Sequence, residues 1–150
     1  MEFVQRNRKK HLEVYKGDGF YLKKFFKRDN QWLETHVENL QNAYPNYLLD
    51  FGVESDHVWT TFKELPGIEA WNFEQTDEFI KKIVEFCKAH YKKTYPYAHL
   101  DVGLSNILVD GDDLYFCDWD SVAIYPKQFV MQRMYAILLK DMGIKVKRYF

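Results

Sequence analysis

The sequence predicts an α+β fold: an N-terminal antiparallel five-stranded sheet plus one helix, followed by a smaller, mainly helical part that carries a β-hairpin. Residues 2–64 alternate apolar and polar side chains in five short runs, whereas from Thr76 onward the apolar residues recur with a helical period. The turn Asp110-Gly111-Asp112-Asp113 between two short apolar runs marks the hairpin.

The elements follow in order. Glu2 to Arg6, His11 to Lys16 and Phe20 to Phe26 read as an antiparallel meander, with Asn7 to Lys10 and Gly17-Asp18-Gly19 as turns. Gln31 to Ala43 spaces Leu33, Val37 and Leu40 as one helical stripe, which Tyr44-Pro45 ends. Tyr47 to Val53 and His57 to Glu64 give two more strands around Glu54-Ser55-Asp56, closing at Leu65-Pro66-Gly67. In the next helix Thr76 is the cap, Asp77 and Glu78 suit the positive first turn, and Ile80, Ile83, Val84, Cys87 and Tyr91 share a face. Asn106 to Val109 and Leu114 to Cys117 are the hairpin strands, and a last helix runs from Lys127 to Met142 before Gly143.

Composition narrows the classes. With 150 residues, 47% hydrophobic and 18% aromatic, the chain can bury one core without disulfides or a structural metal. Twenty-one Lys and Arg against 22 Asp and Glu give no global charge for nucleic acid or membrane. Cys87 and Cys117 sit among apolar neighbours, as reduced thiols of a cytoplasmic protein do, and the Cys87/His90 spacing has no second pair with which to hold zinc. No signal-peptide stretch opens the sequence and no apolar run reaches the ~18 residues of a membrane span.

The chemistry is concentrated between His99 and Asp120. Here H-x-D-x-x-x-x-N (His99, Asp101, Asn106) precedes the hairpin, and Asp118 ends its second strand. Phosphoryl transfer needs a carboxylate to orient and deprotonate the attacking hydroxyl, and oxygen ligands for Mg²⁺ on the nucleotide phosphates. Asp101 fits the first role; Asn106 and Asp118, folded together by the hairpin, fit the second.

These motifs resemble those of the protein-kinase-like superfamily, and within it the aminoglycoside and choline phosphotransferases. Their loop reads H-G-D-L-H-x-x-N-I-L-V and their metal motif I-D-W-E; this chain has His99-Leu-Asp-Val-Gly-Leu-Ser-Asn-Ile-Leu-Val109 and Cys117-Asp-Trp-Asp120. The resemblance implies a minimal two-lobed fold: an N-lobe over about 1–65, a hinge over about 63–67 and a reduced C-lobe over about 68–150. It implies ATP and Mg²⁺, Asp101 as catalytic base, Asn106 and Asp118 as metal ligands, and His99 as support for the loop. It also implies Lys23 on the phosphates with Glu34 as its ion-pair partner, Lys24 and Glu38 being their rivals. Backbone groups near Glu64 and Leu65 would meet adenine. Asp50-Phe51-Gly52 spells the kinase metal motif, yet it precedes the loop and reads as an ordinary strand segment.

The departures matter as well. The turn Gln5 to Lys10 holds no glycine to cradle phosphate, only the charges of Arg6, Arg8, Lys9 and Lys10. The helical part that builds the acceptor site in the family is much shorter here, so a second copy or a protein partner is the expected completion of the C-lobe. The expected acceptor is a hydroxyl of a small molecule, saccharide or protein. Trp71 and Trp119 read as core packing rather than as an aromatic wall for a cation. The alternative function is an inactive kinase-like module that binds nucleotide or protein. Nucleic-acid binding through the basic turn and Lys145-Val-Lys-Arg148 is a weaker third reading.

Overall fold

Period-two alternation in the first half folds into one antiparallel sheet of β1 (Glu2–Asn7), β2 (Leu12–Lys16), β3 (Phe20–Phe25), β4 (Leu48–Val53) and β5 (Val58–Lys63), in the spatial order β1-β2-β3-β5-β4. All residues from Met1 to Phe150 are described in a computed structural model, which divides into the units Met1–Glu64 and Leu65–Phe150. The connection through helix α1 (Asn30–Ala43) places β5 beside β3 and leaves β4 at the edge. Asp29 caps α1, its carboxylate accepting from the Trp32 N–H at 2.9 Å. The helix buries Leu33 and Val37 against Leu12, Val14, Phe25 and Val58, the core of this unit.

The second unit is built on α2 (Asp77–Thr94) and α3 (Lys127–Met142). Thr76 caps α2 through its hydroxyl, which accepts from Phe79 N–H at 3.1 Å. Ile80, Ile83, Val84 and Cys87 of α2 are almost wholly buried, as is Leu138 of α3. Gly143 ends α3 at φ +83°, a conformation glycine adopts without strain. The hairpin is β8 (Ile107–Asp110) and β9 (Asp113–Phe116), paired from Ile107↔Phe116 to Asp110↔Asp113.

Three two-residue strands were not foreseen. β6 (Ile68–Glu69) pairs with β8, while β7 (Tyr97–Ala98) pairs with β10 (Ala123–Ile124). Two residues carry no periodicity, so only the pairing defines them. No helix is long and apolar enough to cross a membrane.

Candidate active site

The segment after β7 makes almost no regular structure, so its backbone groups must find partners among side chains. Asp101 N–H donates to His99 Nδ1 at 3.0 Å, and His99 Nε2 lies 2.8 Å from the Cys117 carbonyl. A backbone N–H can only donate, so Nδ1 is the bare nitrogen and Nε2 carries the proton given to Cys117. His99 thus ties the start of the loop to the end of β9. Its ring is buried against Phe116 and Trp119, at 5.0 and 4.8 Å between centroids.

Two further ties close the loop. Asn106 Nδ2 donates to the Asp101 carbonyl at 3.0 Å, and Cys117 N–H donates to the Asn106 carbonyl at 2.9 Å. Asn106 and Cys117 therefore face each other at the open end of the hairpin, with Asp118 next in chain. Leu100 N–H donates to Ser121 Oγ at 3.2 Å, and Leu104 N–H to Asp141 Oδ2 at 2.8 Å, which anchors the loop to the end of α3. Asp101, Asn106 and Asp118 are all partly buried.

Asp118 takes the left-handed conformation at φ +58°, turning the chain out of β9 into the 3₁₀ turn Trp119–Ser121. Such a conformation is uncommon for a residue with a side chain, is tolerated best by Asp and Asn, and is concentrated at functional sites. Trp119 holds the turn from below, 1% exposed, its indole N–H donating to the Phe116 carbonyl at 3.0 Å. It is core, as its composition-rich surroundings led us to expect. Trp71 is not core, contrary to the expectation: it is more than half exposed, and its indole N–H is satisfied at the surface by the Glu69 carboxylate.

Asn106 has its Nδ2 committed to Asp101, so Oδ1 is the atom it can offer to a cation. Asp118, one residue beyond Cys117, would add a carboxylate as a second oxygen ligand. No group of three or more His, Cys, Asp or Glu that could hold a metal ion is present. A hard, incomplete oxygen set fits Mg²⁺, which keeps waters and shares phosphate oxygens.

In the first unit, Lys23 is 6% exposed on β3, with its ammonium 5.1 Å from the Phe62 ring centroid. Lys24 alternates to the other face, over Tyr15. Glu34 does not pair with Lys23: it lies on the exposed face of α1 and accepts from Asn30 Nδ2 at 3.2 Å. Position 36, not 34, falls on the buried stripe with Leu33, Val37 and Leu40, so His36 is the α1 side chain that feels the lysine. Burial foremost, then the charges of Lys23 and Arg28, push the His36 imidazole down to about 4. Glu64 pairs with Lys16 at 3.0 Å and donates its backbone N–H to the Gly19 carbonyl, and Leu65 opens the second unit, partly buried. Asp50 is an exposed residue of β4 that caps its own neighbour, accepting from Phe51 N–H at 2.8 Å.

Asp141, Ser121 and His36 escaped the sequence reading. An acidic residue in the last turn of a helix opposes the helix dipole, which is the signal Asp141 offered. His36 offered its place on an apolar stripe.

No protein-family model matches the chain, and no curated protein does. Solved structures do. The chain superposes on WbdD with a TM-score of 0.64 at 14% identity, covering 93% of this chain and 37% of that one. On the bifunctional kinase-methyltransferase WbdD the values are 0.61 and 15%, with 86% and 34% covered. On WbdD with the kinase inhibitor LY294002 they are 0.64 and 16%, with 95% and 38% covered. The fold is therefore the kinase-like α+β fold that the motifs implied, and the chain spans little more than a third of the length of these structures.

Proposed function

We propose that the chain is a phosphotransferase that passes the γ-phosphoryl group of ATP to a hydroxyl. The observation that supports this is the loop His99–Asn106, tied by hydrogen bonds of His99, the Asp101 backbone and Asn106 to Cys117 at the open end of the hairpin, one residue before Asp118. Asp101 receives the acceptor hydroxyl as a hydrogen-bond donor. The hydroxyl oxygen forms the new O–P bond, the bond to the ADP oxygen breaks, and the hydroxyl proton passes to Asp101. Asn106 Oδ1 and Asp118 would hold Mg²⁺, which supplies charge neutralisation on the phosphates. Lys23 is assigned the phosphate contact, and the backbone of Glu64 and Leu65 the adenine; with Glu34 turned outward, His99 is the positioning residue of the site.

The acceptor is a hydroxyl of a small molecule, a saccharide or a protein, since the fold and the loop fix the chemistry rather than the substrate. Neither Cys87 nor Cys117 is in a disulfide, which suits a reducing cytoplasm. The acceptor surface would be completed by a second copy or by a protein partner.

The test is ADP release by wild type and Asp101→Asn with Mg²⁺·ATP and a panel of alcohols, amino-sugars and saccharides. We expect turnover in wild type and a loss of at least a hundredfold in the variant, with unchanged melting temperature. Equal turnover in both would refute the mechanism. Nucleotide binding without turnover in either would favour the inactive module, the reading that the glycine-free β1–β2 turn supports.

A further inference from the structure

A groove of about 650 Å³ lies on the second unit, away from the loop and hairpin, between the C-terminal half of α2 and the start of α3. That volume is in the range of small-molecule sites. Its floor is apolar: Ala89, Tyr91, Tyr95 and Met131. The Tyr95 ring stands 59% exposed, edge-on to Tyr91 at 5.9 Å.

Three lysines edge this floor, and their circumstances differ. Lys88 is engaged, donating to the Tyr149 carbonyl at 2.8 Å with its ammonium over Phe150. Lys92 and Lys127 also line the groove, yet neither belongs to an ion pair. Lys127 is moreover the first residue of α3, where the positive end of a sixteen-residue helix gathers. Pro126 gives this end no side-chain cap and its first turn holds no acidic residue. Lys127 thus places a cation at an uncapped helix start and Lys92 a second unpaired cation on the same groove, and both favour an anion there. The floor has a feature of its own: Tyr91, which lines it, is 6% exposed, and its hydroxyl is buried without a hydrogen-bond partner.

We infer that this groove binds a small amphiphilic anion, its apolar or aromatic body on Tyr91, Tyr95 and Met131 and its carboxylate, sulfonate or phosphate between Lys92 and Lys127. The site is independent of the phosphotransfer reading and stands if that reading fails.

The experiment is a fluorescence titration of the full chain with 1-anilinonaphthalene-8-sulfonate, beside the uncharged N-phenyl-1-naphthylamine. The proteins are wild type, Lys92→Gln/Lys127→Gln and Tyr95→Ala. All three altered side chains are exposed, so circular dichroism should show an unchanged fold. We expect saturable binding of the sulfonate, weakened at least tenfold by the double lysine change and at least threefold by Tyr95→Ala, with the uncharged probe insensitive to the lysines. Competition by octanoate and by phenyl phosphate then tells a carboxylate site from a phosphate site. Sulfonate affinity within twofold of wild type in the double variant, equal affinity for the uncharged probe, or no saturable binding to wild type would each overturn the proposal.

Discussion

His99 shows how one side chain organises a loop without touching a substrate. Its two nitrogens are both spoken for, one by the Asp101 amide and one by the Cys117 carbonyl, and its ring is packed between Phe116 and Trp119. We expect His99→Ala to cost about 2–4 kcal/mol of stability by leaving a buried carbonyl and amide unpaired. Turnover should fall in kcat more than it shifts KM, because Asp101 loses its position and not its chemistry; an unchanged kcat in a folded variant would refute the positioning role. Asp118 belongs to the same scale. ATP at about 100 times its Kd stabilises a protein by roughly 2.7 kcal/mol, and a thermal shift that needs Mg²⁺ and is lost in Asp118→Asn is the expected signature. A shift that persists in the variant would remove Asp118 from the metal site. The buried histidines set a pH limit. Burial is the main cause that depresses His36 and His90 to about 4, helped at His36 by Lys23 and Arg28 and at His90 by His99 and Lys93. The unfolded chain takes up these protons near pH 6.5 and the folded chain only near 4, so stability is full above 6.5 and declines as pH falls between those values. For His36 the loss amounts to about 3 kcal/mol. His36→Phe, which keeps an aromatic ring against Trp32, should flatten the decline in melting temperature between pH 7 and 4.5.

At the scale of elements, stability rests on caps, turns and buried faces whose costs differ. Thr76→Ala removes the α2 cap and should cost ~1 kcal/mol. Leu138→Ala, at a wholly buried position of α3, should cost ~2–5 kcal/mol. Gly67 is a different case: it sits at φ +110°, and a Cβ there would stand 2.7 Å from the Val109 carbonyl oxygen. Gly67→Ala therefore forces β6 away from β8 and should lower the melting temperature more than Thr76→Ala does; a smaller effect would show that the β6–β8 pairing adds little. The element that reaches furthest is α3, whose Asp141 holds Leu104 at the start of the turn that delivers Asn106. We expect Asp141→Ala to lower turnover although it lies far from the loop in sequence.

For the molecule as a whole, the charge balance and the placement of the basic residues decide between readings. Net charge is −1, Arg6 is bound to Glu13, and Lys145 and Arg148 of the C-terminal segment both reach Asp77. The weaker nucleic-acid reading thus loses part of its basic surface, and we expect no retention on DNA at 150 mM salt, where a basic binding face would hold. The long elements were legible because each carries enough turns or alternations to show a period: α3 runs from Lys127 to Met142 as its apolar spacing and Gly143 indicate, and the five strands of the first unit agree to within a residue or two. The meeting of the loop with the hairpin was legible because H-x-D-x-x-x-x-N and Cys117-Asp-Trp-Asp120 are local spacings around a hairpin that brings its ends together. Local pattern could not reach the rest. The two-residue strands, the outward turn of Glu34 and the burial of His36, the anchoring of Leu104 by Asp141, and the two unpaired lysines over an apolar groove all depend on which faces meet. Chain order sets what a segment can form through short-range sterics and hydrogen bonds, while the partner of each side chain is chosen by packing between segments far apart in sequence, and only the folded chain makes that choice.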